Sequence, residues 1–337
     1  IRDTSRGLVG SEMCIRDSHR VAQQNYVVVK PTDSPKEVTL EAGQVHGITK
    51  GSVFAIYPPG TRDFDAPQAA LAIAKVTSVY PAQALARLET NRKIPTGARA
   101  VEREHNYGDK KLFVFYENAD QSAKLKTIRD ALKQYNFIHT AQTGEAYHLL
   151  LEHTQGNILI EAADSGVVAR IDARGNESEL TNRVIDDVTK WAKWYGVLSI
   201  KNPNPSKKVR IDIAVEAITE RGATRSPYAH VTRPDAEFYA GETISLNIKS
   251  QSTRDLYFHV LNLSTDGSVE TVYPKDGRTE RLPKGGTTTL ELSTFLPDDY
   301  SAVTDVIKVI ASTSRFDLRF LEQRPLTRGE KRAIDTD

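Results

Sequence analysis

Apolar and polar residues alternate with a period of two along much of this chain, and that period predicts strands. The cleanest case is Val209–Ala217. There Val209, Ile211, Ile213, Val215 and Ala217 alternate with Arg210, Asp212, Ala214 and Glu216. Ile244, Leu246 and Ile248 alternate in the same way with Ser245, Asn247 and Lys249. Leu256–Leu263 is nearly continuous in apolar and aromatic residues, as expected of a strand covered on both faces. Asp266-Gly267 suits a tight hairpin, Tyr273-Pro274 ends the next strand, and Lys284-Gly285-Gly286 precedes a strand over Thr287–Leu292. Short strands at this spacing, closed by Val306–Ser312, read as a β-sandwich.

The N-terminal part reads as all-β. Strands are predicted over Tyr26–Lys30, Glu37–Leu40, Val53–Tyr57, Ala70–Val79 and Gln83–Leu88. Gly47 and Gly51 permit the turns that launch Val53–Tyr57, and a small barrel follows. His46, in a turn between polar neighbours, is expected to be exposed. The middle part mixes periods. Strands fall at Lys111–Glu117, Tyr147–His153, Asn157–Ala162 and Val167–Asp172. Leu125, Ile128, Leu132 and Tyr135 make one face of a helix from Asp120 to Tyr135. A second helix starts at the Asn176 cap with Glu179 three residues on, and its apolar stripe is Leu180, Val184, Val188, Trp191 and Tyr195. Gly196 is placed to end it.

Asn202-Pro-Asn-Pro-Ser206 is a stiff linker. The predicted fold class is therefore multidomain and mainly β with an α/β middle part. Its expected domains are a small β-barrel-like domain (residues 19–106), an α/β layer domain (107–202) and an immunoglobulin-like β-sandwich (203–323). Residues 324–337 are expected to form a frayed polar tail.

Composition narrows the function classes. The 45 basic and 44 acidic residues nearly cancel, so bulk charge favours neither nucleic acid nor an anionic membrane. No apolar run approaches the ~20 residues of a membrane-spanning helix. The single methionine and single cysteine are Met13 and Cys14. Both sit in Ile1–Ser18, which resembles a translated sequencing-library adapter: Leu8–Ser18 matches its mosaic end, and Ile1-Arg-Asp3 repeats Ile15-Arg-Asp17. With that stretch set aside, no thiolate nucleophile, disulfide or thiolate metal site can be built, and the missing start suggests the C-terminal part of a longer protein.

Chemistry-bearing residues give no constellation. Among eight histidines none forms a His-Glu-x-x-His motif, and His148 and His153 lie five apart on one strand, facing opposite sides. Glu152 and His153 are strand neighbours and diverge. Gly43, Gly47 and Gly51 lack the strand–loop–helix context and the Gly-Lys-Ser/Thr of a phosphate cradle. Asp186-Asp187 and Asp298-Asp299 read as solvated helix-face and turn carboxylates. Trp191 and Tyr195 read as core, with Trp194 between stripes. No catalytic, cofactor-binding or metal-ligating residue is assigned, and no cofactor is expected.

Two stretches carry a resemblance. One is Gly43-x-x-His46-Gly-Ile-Thr-x-Gly51-Ser-x-Phe-Ala-Ile-Tyr-Pro-Pro-Gly-Thr61. The other runs from Phe238-Tyr-Ala-Gly-Glu242 through Leu256-Tyr-Phe, Asp266-Gly267 and Val272-Tyr-Pro274 to Ile310-Ala-Ser312. Together they resemble the region that follows the catalytic domain in bacterial caspase-like cysteine peptidases, ending in a domain of unknown function. The resemblance implies a non-catalytic recognition or regulatory region, a caspase-like peptidase domain of the same parent chain as partner, and possible protein or peptide ligands. The alternative is a stand-alone cell-envelope binding protein with a ligand site on the sandwich. The sequence leaves the compartment open.

Overall fold

The computed structural model describes residues 26–64, 69–80, 82–106, 111–163, 165–202, 209–218, 224–228, 238–274, 280–296 and 303–327. The expected adapter stretch, the Asn-Pro linker beyond Asn202 and Asp298-Asp299 lie outside them. The fold is mainly β: several sheets, one of them a closed six-stranded barrel, with two α-helices among the described residues.

The barrel is built from β1 (Val27–Pro31), β2 (Glu37–Leu40), β3 (Val53–Tyr57), β4 (Ala72–Val79), β5 (Ala84–Leu88) and β6 (Ala98–Glu104). Their order is β1-β2-β5-β4-β3-β6, closed by antiparallel pairing of β6 with β1. The sequence reading lacked β6. Its Ala98 and Ala100 point into the barrel, which is filled by Val29, Leu40, Phe54, Ile56 and several alanines. Small residues at these inward positions let six short strands close around the larger side chains. Gly43 is part of the closure, because a Cβ there would lie 2.1 Å from the Tyr80 carbonyl oxygen and 2.5 Å from the Gln83 nitrogen.

The middle sheet has β7 (Leu112–Glu117), β8 (Ile138–Thr140), β9 (Leu149–Thr154), β10 (Asn157–Ala162) and β11 (Gly166–Asp172) in the order β11-β10-β9-β7-β8. β7 pairs parallel with β8 and β9, and the remaining pairs are antiparallel. Both helices, α1 (Ala123–Leu132) and α2 (Glu177–Leu198), pack into the core lined by Leu112, Val114, Leu149, Leu151, Ile158 and Ile160. α1 is shorter than its periodicity suggested. Ser122 caps it at Leu125 N–H, a short 3-10 turn precedes it, and Tyr135 lies past its end. The predicted Asn176 cap of α2 is present, bonding Ser178 N–H at 2.8 Å and Glu179 N–H at 3.3 Å. Gly196 does not end α2. The helix runs on through Val197, buried against the next sheet, and Lys308 Nζ donates to the Leu198 carbonyl at 2.7 Å.

The C-terminal part has two sheets. One is ordered β13 (Thr224–Tyr228), β12 (Ile211–Ile218), β14 (Thr243–Ser250), β18 (Thr287–Ser293). In the other, β15 (Leu256–Leu263) pairs with β16 (Val269–Tyr273), β17 (Arg281–Leu282) and β19 (Val306–Ser312). Leu246 and Ile248 meet Leu256, Phe258 and Val260 in one core, so the two sheets face each other. The other face of β15 turns Leu261 and Leu263 toward Trp194 and Val197 of α2. β15 is thus covered on both sides, as its continuous apolar run requires.

Candidate functional site

Residues Phe316–Thr327 join distant parts of the chain through buried polar and apolar contacts. Phe316 is 8% exposed. Its ring centroid lies 4.6 Å from that of His259 on β15 and 6.2 Å from that of His46 in the barrel. Phe320 lies 5.7 Å from His46 and packs on both the barrel core and the helix–sheet core. Leu321 sits in the helix–sheet core, in van der Waals reach of the open side of Gly47. Gly47 has φ +75°, a left-handed conformation that glycine supplies without strain.

His46 is therefore not an exposed turn residue, as its polar neighbours suggested. It is 3% exposed, in a 3-10 turn (Gln44–His46) that folds it inward against Phe316 and Phe320. Its Nδ1 accepts the Gly43 N–H at 2.9 Å. Burial pulls its pKa down to about 4, with Asp317 opposing and His259 adding to the fall. His259, fully buried, donates from Nε2 to the Phe316 carbonyl at 2.9 Å, and its Nδ1 has no hydrogen-bond partner among the described residues. Its pKa is also lowered, by burial first, against the Phe316 bond and Asp317. Asp317 would be raised by burial, but the bonds from Arg319 hold it below the usual carboxylate range. Two neutral imidazoles and one ion pair thus meet where barrel, β15 and Phe316–Arg319 converge.

Lys193 of α2 donates to the Phe320 carbonyl at 3.3 Å and the Glu322 carbonyl at 3.2 Å. Burial lowers its pKa, with Glu102 of the barrel and Glu322 opposing. Farther along, Gln323 exchanges backbone bonds with Val269 at 3.0 and 3.2 Å, and its side-chain amide donates to the Lys190 carbonyl at 3.0 Å and to the Gly267 carbonyl. Leu326, 4% exposed, enters the core beside Trp191. Asp187 is fully buried and accepts the Thr327 N–H on both oxygens at 3.2 Å and the Thr327 hydroxyl at 3.3 Å. Burial raises its pKa against these bonds and Lys190. Two expectations are corrected here. Asp187 is a buried acceptor and not a solvated helix-face carboxylate, and Leu326 and Thr327, in the stretch expected to fray, are docked while Arg324 and Pro325 are exposed. Residues 328–337 lie outside the described residues.

The other residues singled out by sequence do not converge. Trp194, expected between stripes, is 5% exposed and stacks on Trp191 at 5.0 Å, facing the C-terminal sheet. His148 accepts the Phe113 N–H at 3.0 Å and meets Tyr195 edge-on. His153 reaches Ser122 Oγ at 2.7 Å. That hydroxyl also accepts the Leu125 N–H at 3.2 Å as the cap of α1. Among the described residues, no three His, Cys, Asp or Glu side chains are grouped to hold a metal. No described helix is long and apolar enough to cross a membrane.

Two of the missed residues left a signal in the sequence. Asp187 sits three residues after Val184 and four before Trp191, on the apolar stripe of α2. His259 sits inside a continuous apolar strand. His46 left none, because its burial comes from residues some 270 positions away.

Compared with protein-family models and with curated proteins, the sequence matches none.

Proposed function

We propose that this chain is a non-catalytic recognition and regulatory region of a bacterial caspase-like cysteine peptidase. One observation carries the reading. The two stretches that resemble the region following such peptidase domains are far apart in sequence, yet His46 of the first packs against Phe316 and Phe320, which continue directly from the second. Separate modules on a string would have no reason to share buried side chains; parts of one accessory unit would. The polar groups at that contact serve packing: each imidazole is neutral and one nitrogen of each is used on backbone. In this reading the two facing C-terminal sheets are an immunoglobulin-like sandwich. The unit presents its surfaces in a fixed relation to the peptidase and its protein substrates.

The test is a comparison of the peptidase domain encoded in the same reading frame, alone and fused to this region. The reading expects kcat/KM on a protein substrate to change at least several-fold. An unchanged value on protein and peptide substrates alike refutes it. The second reading, a stand-alone envelope binding protein, rests on the same two sheets. It gains if no such peptidase domain is encoded.

A further inference from the structure

The groove between α2 and the Ser264–Val269 turn is built like a site for a linear peptide, and the chain's own Gln323–Thr327 occupies it. Gln323 pairs with Val269 by reciprocal backbone bonds, as an added strand residue does. Its amide donates to the carbonyls of Lys190 on α2 and of Gly267 in the turn. Leu326 N–H donates to the Asp266 carbonyl at 2.9 Å, and its side chain fills a slot walled by Trp191. Gly267 forms the floor of that slot. Its φ is +81°, and a Cβ there would lie 2.8 Å from Leu326 Cγ and 3.3 Å from Trp191 Cε3. Asp187 grips the Thr327 N–H and hydroxyl, and the Thr327 carbonyl accepts the Arg170 N–H of β11 at 3.1 Å. A backbone pairing, an amide clamp, an apolar slot and a carboxylate for a threonine make a side-chain-by-side-chain recognition pattern.

We infer that this groove is a peptide-binding site for an extended Gln-x-x-Leu-Thr segment, held closed in cis by residues 323–327. A segment tethered beside its site has an effective concentration in the millimolar range, so it excludes a free peptide until it is weakened or displaced. This inference stands apart from the peptidase reading and can fail without it.

The test uses the full chain and a fluorescein-labelled peptide Glu-Gln-Arg-Pro-Leu-Thr-Arg, followed by anisotropy. Leu326→Ser weakens the cis segment and is expected to bind the peptide at least ten-fold more tightly than the unmodified chain. Adding Asp187→Ala should abolish that gain. A folded Leu326→Ser chain that binds no more tightly overturns the inference. If that variant does not fold, amide exchange on the unmodified chain decides. Gln323, Leu326 and Thr327 amides exchanging well before those of β9 and β10 supports a displaceable segment. Exchange only with global unfolding makes the segment permanent core and overturns it.

Discussion

Phe316→Ala removes the side chain that both buried histidines pack against. Burying a phenylalanine contributes about 2–3 kcal/mol, and the cavity left behind brings such truncations to about 3–5 kcal/mol. Phe316 is 8% exposed, so nearly the full transfer contribution applies. The site can partly collapse, because its walls come from the barrel, β15 and the following segment and not from one rigid sheet. The expected loss is therefore about 3 kcal/mol, at the lower end of that range. The His259 bond to the Phe316 carbonyl survives in the variant, since it engages backbone. The assay is guanidinium unfolding followed by tryptophan fluorescence, which reports Trp191 and Trp194 beside the junction, and by far-ultraviolet circular dichroism. The unmodified chain should show coincident transitions. In the variant the fluorescence transition should move to lower denaturant and separate from the circular dichroism transition, because the junction loosens before the barrel melts. A variant with one coincident transition and a loss below about 1 kcal/mol would refute the keystone role of Phe316.

Four further outcomes follow from the same structure. His46 titrates near 4 when folded against an ordinary 6.5, so the unfolded chain binds the extra proton between those values. Its stabilisation is whole above pH 6.5 and falls by about 3 kcal/mol as pH drops to 4; His46→Phe should flatten that part of a stability–pH profile. Gly43→Ala places a methyl against the backbone of Tyr80 and Gln83; thermal unfolding should show a loss of about 3 kcal/mol or more, since neither backbone can step aside. Asp187→Ala strands the Thr327 donors and should cost about 2 kcal/mol, whereas Asp187→Asn keeps an acceptor and should cost under about 1 kcal/mol by chemical denaturation. Ser122→Ala removes the cap of α1 and should cost about 1 kcal/mol, and His153→Ala in that background should cost less than it does alone, because its bond to Ser122 is already gone.

Much of the fold was legible because it is written in local periodicity. β3 and β15 fall at Val53–Tyr57 and Leu256–Leu263, as their apolar runs predict, and the Asn176 cap marks the start of α2. What was not legible depends on distant partners. β6 has only alanines, Ala98 and Ala100, at its buried positions and charged Arg99, Glu102, Arg103 and Glu104 at four of the other five, so its apolar signal is weak until the barrel closes around it. Gly196 looked like a helix stop, but α2 gains more by burying Val197 against the C-terminal sheet than glycine costs inside a helix, about 1 kcal/mol. His46 and Asp187 were misplaced for one reason: each is buried by residues from another part of the chain. The candidate site is the sum of such contacts, which is why the sequence pointed to its elements and not to the site.

The most direct test of the functional account is the genomic sequence through the codons for Tyr26–Val29 and several hundred bases upstream. The account predicts that the reading frame continues upstream into an α/β domain carrying a histidine and a cysteine nucleophile. A start codon and secretory signal directly before this region, with no peptidase domain, would contradict it.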